Sequence, residues 1–190
     1  MSKSKVPKRI SNKIVLVEDF EQQALVRRYL QRCGHGDGLR LGRLPAKGPG
    51  GSGEQYVRNQ YPIQVQACRS SLGRRKSALL IVVVDADMQT TQRRSQQLSA
   101  ALEAANMERR DNDEPIVVLI PRRHVETWIR ALLGNTVDEH TDYKNPQPTS
   151  EEIHHAAETL YDWTRPNTIP GATSPPSLTD SLPEWKKIPS

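Results

Sequence analysis

Seven consecutive aliphatic residues, Ala78-Leu79-Leu80-Ile81-Val82-Val83-Val84, run directly into Asp85-Ala86-Asp87. No polar residue alternates through the run, so it has no face to offer water. A segment of this kind reads as a strand buried on both sides, and such strands belong to parallel sheets covered by helices on each face. Two further runs read the same way. Ile14-Val15-Leu16-Val17 ends at Glu18-Asp19, and residues 116–120 lead into Pro121. Leu39, Leu41 and Leu44 alternate with Arg40, Gly42 and Arg43, which predicts a short additional strand.

The segments between these runs carry helical signals. After Asp19 the spacing predicts a helix that turns Phe20, Ala24, Leu25 and Leu30 toward the core and stops before Gly34. Residues 54–61 and 62–72 read as two helices, with Pro62 at a first helical position and Gly73 as a stop. Leu98, Ala101, Leu102 and Ala105 predict a helix over residues 91–107. A shorter one is expected over residues 124–133, ended by Gly134. The alternation of strand and helix implies an α/β fold, a small parallel β-sheet flanked by helices in the Rossmann-like manner. Residues 1–12 read as a basic disordered arm and residues 13–145 as the α/β domain. In residues 146–190, Thr149 and Glu152 form a capping-box pattern for a helix to about residue 163. A mostly extended Pro-rich docking tail follows, with a short helical turn expected near Trp185.

Composition narrows the setting. No apolar stretch approaches the roughly 18 residues of a membrane span, and the basic N-terminus lacks the apolar segment of a secretion signal. Cys33 and Cys68 are the only cysteines, too few for a disulfide framework or a four-cysteine zinc site, so a cytoplasmic setting is expected. The net charge of +5 divides unevenly, +8 over residues 1–145 and −3 over residues 146–190. A body of that sign attracts polyanions, nucleic acid above all.

The acids carry the chemistry. In a parallel sheet every strand ends at one edge, where α/β proteins bind ligands. Glu18, Asp85 and Asp87 each follow a strand, so the fold brings them to that edge. If the backbone stays extended, Asp85 and Asp87 point the same way and Ala86 points opposite. Clustered carboxylates repel one another unless a cation neutralises them, and hard oxygen donors suit Mg²⁺ or Mn²⁺. Glu126, one turn into the helix after the 116–120 strand, is placed to complete a metal set of Glu18, Asp85, Asp87 and Glu126. Arg122, Arg123 and His124 stand beside it, and Arg93 and Arg94 follow the aspartate pair; all are candidates to bind a phosphate backbone.

At these residues the chain resembles the TOPRIM domain of topoisomerases, bacterial primases, ribosomal-RNA maturation nucleases and the overcoming-lysogenization-defect nucleases. The resemblance covers about residues 13–135. It rests on a glutamate after the first strand, Glu18, and a later Asp-x-Asp after an aliphatic strand, Asp85 and Asp87. It implies that Glu18 is the acid/base glutamate and that Asp85 and Asp87 are the Mg²⁺ pair. Asp19 stands where most members carry Gly. The stretch 121–128 with Asp138-Glu139 and Asp142-Tyr143-Lys144 is similar to stand-alone TOPRIM proteins of bacterial and mobile-element settings. Val15-Leu16-Val17-Glu18-Asp19 also resembles the opening of a receiver domain, but the 66-residue separation of Asp19 from Asp85 is long for that fold.

The remaining motifs are weaker. Gly48-Pro49-Gly50-Gly51-Ser52-Gly53 is followed by Glu54 and Gln55, not by the Lys and Ser/Thr of a nucleoside-triphosphate loop. Lys47 and loop N–H groups are candidates to touch a substrate phosphate. The arginine pairs 27–28 and 109–110 and His154-His155 read as surface charge. Trp128 is expected in the core, and Trp163 and Trp185 are expected to pin the tail to the body or to a partner. Together these features predict a Mg²⁺-dependent nuclease of TOPRIM type, in phage defence or a mobile element. The rival is a non-catalytic TOPRIM-like subunit that binds nucleic acid or a protein partner, such as an ATPase, in a larger assembly. DNA versus RNA and the oligomeric state are not fixed by the sequence.

Overall fold

In the computed structural model, residues 10–42, 44, 52–74, 76–172 and 174–189 are described. The expected fold class is the one observed. Four strands, β1 (Asn12–Leu16), β2 (Leu39–Leu41), β3 (Ala78–Val83) and β4 (Ile116–Leu119), form one parallel sheet in the order β2-β1-β3-β4. Six helices cover it: α1 (Phe20–Arg32), α2 (Gly53–Gly73), α3 (Thr91–Ala104), α4 (Val125–Leu132), α5 (Ser150–Thr164) and α6 (Pro176–Trp185). No helix among the described residues is long and apolar enough to cross a membrane.

Strand alternation divides the core into two layers. Val15, Val17, Leu79, Ile81, Val83, Val117 and Leu119 face α1, α4, α5 and α6. Leu16, Leu80, Val82, Val84 and Ile116 face α2 and α3. Because both sides of β3 are covered, its unbroken aliphatic run is wholly buried.

Several expectations change. The segment expected as two helices is one, α2, which runs through Pro62. Val57, Tyr61, Val65 and Cys68 form a continuous buried stripe across the proline. That burial outweighs the single backbone hydrogen bond Pro62 cannot make. Phe20, expected in the core, is 61 % exposed, while Leu25 and Leu30 are buried. Residues 10–12 belong to the domain rather than to a free arm. Ile10 is buried, and Ser11 N–H donates to Ser77 Oγ at 2.9 Å.

The largest difference lies in the tail. α6 is a full helix entered through Pro176, a position where proline is at home. Leu178, Leu182, Trp185 and Ile188 join the core layer of β1, β3 and α1. The Trp185 ring lies 4.6 Å from that of Tyr29, whose hydroxyl donates to Thr164 Oγ1 at 2.9 Å. Trp128 is buried as expected, and its Nε1–H donates to Ser177 Oγ at 2.8 Å, tying α4 to α6. Arg110, expected as surface charge, donates to the Ile116 carbonyl at 2.7 Å and to Glu184 Oε2 at 2.8 Å. Glu184 also accepts the Val118 N–H at 3.0 Å, so α6 covers the outer edge of β4.

Candidate functional site

The chain leaves β1 for β2 on one side of the sheet and leaves β3 for β4 on the other. Connections that diverge in this way open a crevice at the carboxyl ends of the two central strands. Glu18 and Asp85 stand on its two sides. They touch: the Asp85 N–H donates to Glu18 Oε1 at 2.6 Å. Gln22, buried one turn into α1, joins them. Its side-chain oxygen accepts the Glu18 N–H, and its amide donates to Asp85 Oδ1 at 2.9 Å.

Asp19, which stands where a glycine was expected, caps α1. Its Oδ1 accepts the Gln22 N–H at 2.9 Å, and its backbone is extended at φ −144°, a conformation that needs no glycine. The close approach falls elsewhere, at Gly53. A Cβ there would lie 2.8 Å from Glu18 Cβ and 3.1 Å from the Glu18 carbonyl oxygen. Only a glycine lets the start of α2 settle against Glu18.

Asp85 and Asp87 do not share an extended backbone. Asp85 is 2 % exposed, and Ala86 N–H continues the pairing to the Pro121 carbonyl at 2.8 Å. The chain then turns at Asp87, whose φ of 53° lies in the left-handed region. The two carboxylates still face a common point. His124 Nδ1 is 3.5 Å from Asp85 Oδ2 and 3.9 Å from Asp87 Oδ1, and it makes no hydrogen bond. His124 is the N-cap residue of α4, yet its side chain does not cap the helix.

Glu126, in the first turn of α4, is 2 % exposed, and its Oε2 has no hydrogen-bond partner among the described residues. Arg94, a candidate for substrate binding, is buried. Its guanidinium pairs with Asp87 at 3.2 Å and Glu54 at 2.7 Å, and its Nε–H donates to the Asp85 carbonyl at 2.8 Å. It fixes the aspartate turn instead of facing solvent. Arg93 is exposed, and Arg122 and Arg123 are half-buried. Arg122 N–H donates to Ser177 Oγ, and Arg123 Nη1 lies 3.0 Å from Met88 Sδ. Lys47 lies outside the described residues.

The electrostatics follow from burial among like charges. Burial and then the Asp85 charge push Glu18 up to about 9. Burial, then Asp19 and Glu126, hold Asp85 well above the carboxylate range. Burial also raises Asp19 and Glu126. His124 is pushed down by burial and by the Lys144 ammonium, which favours the neutral imidazole. Lys144 was not among the candidate site residues. Burial alone would lower it, but Glu126, Asp85, Asp19 and Asp87 outweigh that and raise it, so it stays charged beside the acids. The run Asp142-Tyr143-Lys144 entered only through a resemblance, with no role attached to the lysine, because its nearness to the acids depends on a long loop. Gly53 did carry a signal, as the last glycine before a helical stripe.

Among the described residues, no three His, Cys, Asp or Glu side chains stand in an arrangement that would hold a metal ion. The donor chemistry itself suits a hard divalent cation. It consists of carboxylate oxygens in a crevice where Glu18, Asp19, Asp85 and Glu126 resist ionisation, with the buried Glu126 Oε2 left unbonded among the described residues. No known protein family, no curated protein and no solved structure matches this chain.

Proposed function

We propose that this chain is a divalent-cation-dependent phosphodiesterase of TOPRIM type that cleaves nucleic acid. One observation carries the reading: half-buried Glu18 and buried Asp85 and Glu126 come from three separate segments and gather at the crevice between β1 and β3. Burying several acids side by side is costly unless a positive charge joins them. Asp85, Asp87 and Glu126 are the residues to hold Mg²⁺ or Mn²⁺, with Glu18 beside them. Once bound, such an ion polarises a phosphate and stabilises the departing oxygen.

The chain's own groups supply the remainder. Glu18, held up to about 9 by burial and the neighbouring acids, is the group to move a proton during attack on the phosphodiester. His124 offers a neutral, unbonded Nδ1 at the same place. Arg93, Arg122 and Arg123 are the residues to meet the phosphate backbone. The test is cleavage of plasmid DNA or RNA with Mg²⁺ or Mn²⁺ by the wild type and by Asp85→Ala. The reading expects cleavage only by the wild type, and equal activity in both refutes it.

A second reading has its own support. Arg94 already neutralises Asp87 and Glu54 within the chain, and among the described residues the crevice has no preformed three-ligand set. A TOPRIM-like subunit that binds nucleic acid or a partner such as an ATPase, without cleavage, is consistent with both facts. Metal uptake without cleavage, together with co-purification of a partner, selects this reading. A phage-defence or mobile-element role belongs to either reading.

A further inference from the structure

The only phenylalanine of the chain is exposed, and it stands two residues after Glu18. A single exposed aromatic is ordinary, but Phe20 heads a groove. A cavity of about 280 Å³ along α1 is lined by Phe20, Gln23, Ala24, Arg27, Arg28 and Gln31. These positions recur at helical spacing and form one stripe, opposite the buried stripe of Leu25, Val26, Tyr29 and Leu30. The stripe extends about 16 Å from the acid crevice along α1.

Its chemistry is one-sided. The lining has two arginines, two amides, an aromatic ring and no acid. Among the described residues no carboxylate pairs with Arg27 or Arg28; Arg28 Nη2 donates to the neutral Ser150 hydroxyl, which leaves its charge uncompensated. Across the crevice a second apolar side chain, Met88, is 80 % exposed beside Asp87. An apolar platform next to unpaired guanidinium groups matches a chain of alternating bases and phosphates. Only an unpaired strand can lay a base on such a ring.

We infer that α1 guides a single-stranded nucleic acid into the crevice, with a base stacked on Phe20 and the backbone along Arg27 and Arg28. This rests on the phosphodiesterase reading for the purpose of the path, but binding is measured without cleavage. Fluorescence anisotropy in EDTA, with a labelled oligothymidylate and a hairpin duplex of the same charge, reads it directly. The wild type is expected to prefer the single strand. Phe20→Ala, an exposed substitution whose melting midpoint should match the wild type, is expected to weaken single-strand binding about tenfold. Arg27→Glu should weaken it further, and added salt should weaken it in every form.

Equal binding by Phe20→Ala and wild type, preference for the duplex, or no binding at all overturns the inference. The two proposals fail separately. Metal-dependent cleavage of duplex and single strand alike, unchanged in Phe20→Ala, overturns the strand path and leaves the phosphodiesterase. Phe20-dependent single-strand binding with no cleavage overturns the phosphodiesterase and leaves the path.

Discussion

This molecule withdraws carboxylates from water in two opposite ways. At the outer edge of β4, Glu184 accepts from the Val118 N–H, from Arg110 and from Lys187 at 2.6 Å. Burial alone would raise its pKa, but Lys187, the Val118 amide and Arg110 prevail, and it sits below the ordinary glutamate value. At the crevice, half-buried Glu18 and buried Asp85 and Glu126 stand against other acids, and all three are held above their ordinary values. Glu184 shows that this fold can satisfy a half-buried acid with its own donors. The crevice acids are short of cations by comparison, and the proposed cation site rests on that contrast. The sign of the shift tells the two settings apart where burial alone does not.

The comparison can be broken hardest from the structural side. Trp185→Ala should cost about 3–5 kcal/mol in urea unfolding, because the ring fills the core against Tyr29. A loss under about 1 kcal/mol would make α6 a detachable strap.

Glu184→Gln should cost about 1.5–3 kcal/mol at neutral pH, since Arg110 loses its charged partner. The folded pKa of Glu184 is depressed, so its contribution is present above the unfolded value, about 4.5. It fades as pH falls through the folded value. The penalty of the variant should therefore shrink in acid, and a penalty independent of pH would contradict the assignment.

Gly53→Ala should cost about 1–3 kcal/mol, because the new methyl meets Glu18 backbone and side chain at once. Thermal or urea unfolding checks it, and an unchanged midpoint would show that α2 does not press on Glu18.

The last effect has the opposite sign and is read from its pH dependence. Glu18→Gln should leave stability unchanged or raised. The folded pKa of Glu18 lies above the unfolded one, so the wild type should lose stability as pH rises from about 4.5 to about 9. The slope from this group approaches about 1.4 kcal/mol per pH unit at most, and it should be absent in the variant. Urea unfolding across that range decides it, and parallel curves would show that Glu18 ionises freely.

Much of the sheet was legible in the sequence because its strands are buried on both faces. The runs ending at Val17, Val84 and Ile120 have no helical period to confuse them. The capping box at Thr149 and Glu152 was equally readable, since it is made of local contacts. What was hidden depends on distant contacts. Pro62 and Pro183 look like breaks, yet α2 and α6 run through them because each buries a continuous apolar stripe. The left-handed turn at Asp87 is held by Arg94 and is invisible to a rule of extended alternation. Lys144 reaches the crevice through the loop after α4, and Gly53 packs against a residue 35 positions away.

The most direct test is calorimetric titration of Mg²⁺ or Mn²⁺ into the wild type and Asp85→Asn at neutral pH, repeated in buffers of different ionisation heat. The wild type should take up a cation and release protons as its raised acids ionise, and Asp85→Asn should lose that event. No uptake by the wild type, or the same uptake by both proteins, would contradict the claim that these acids are gathered to bind a cation.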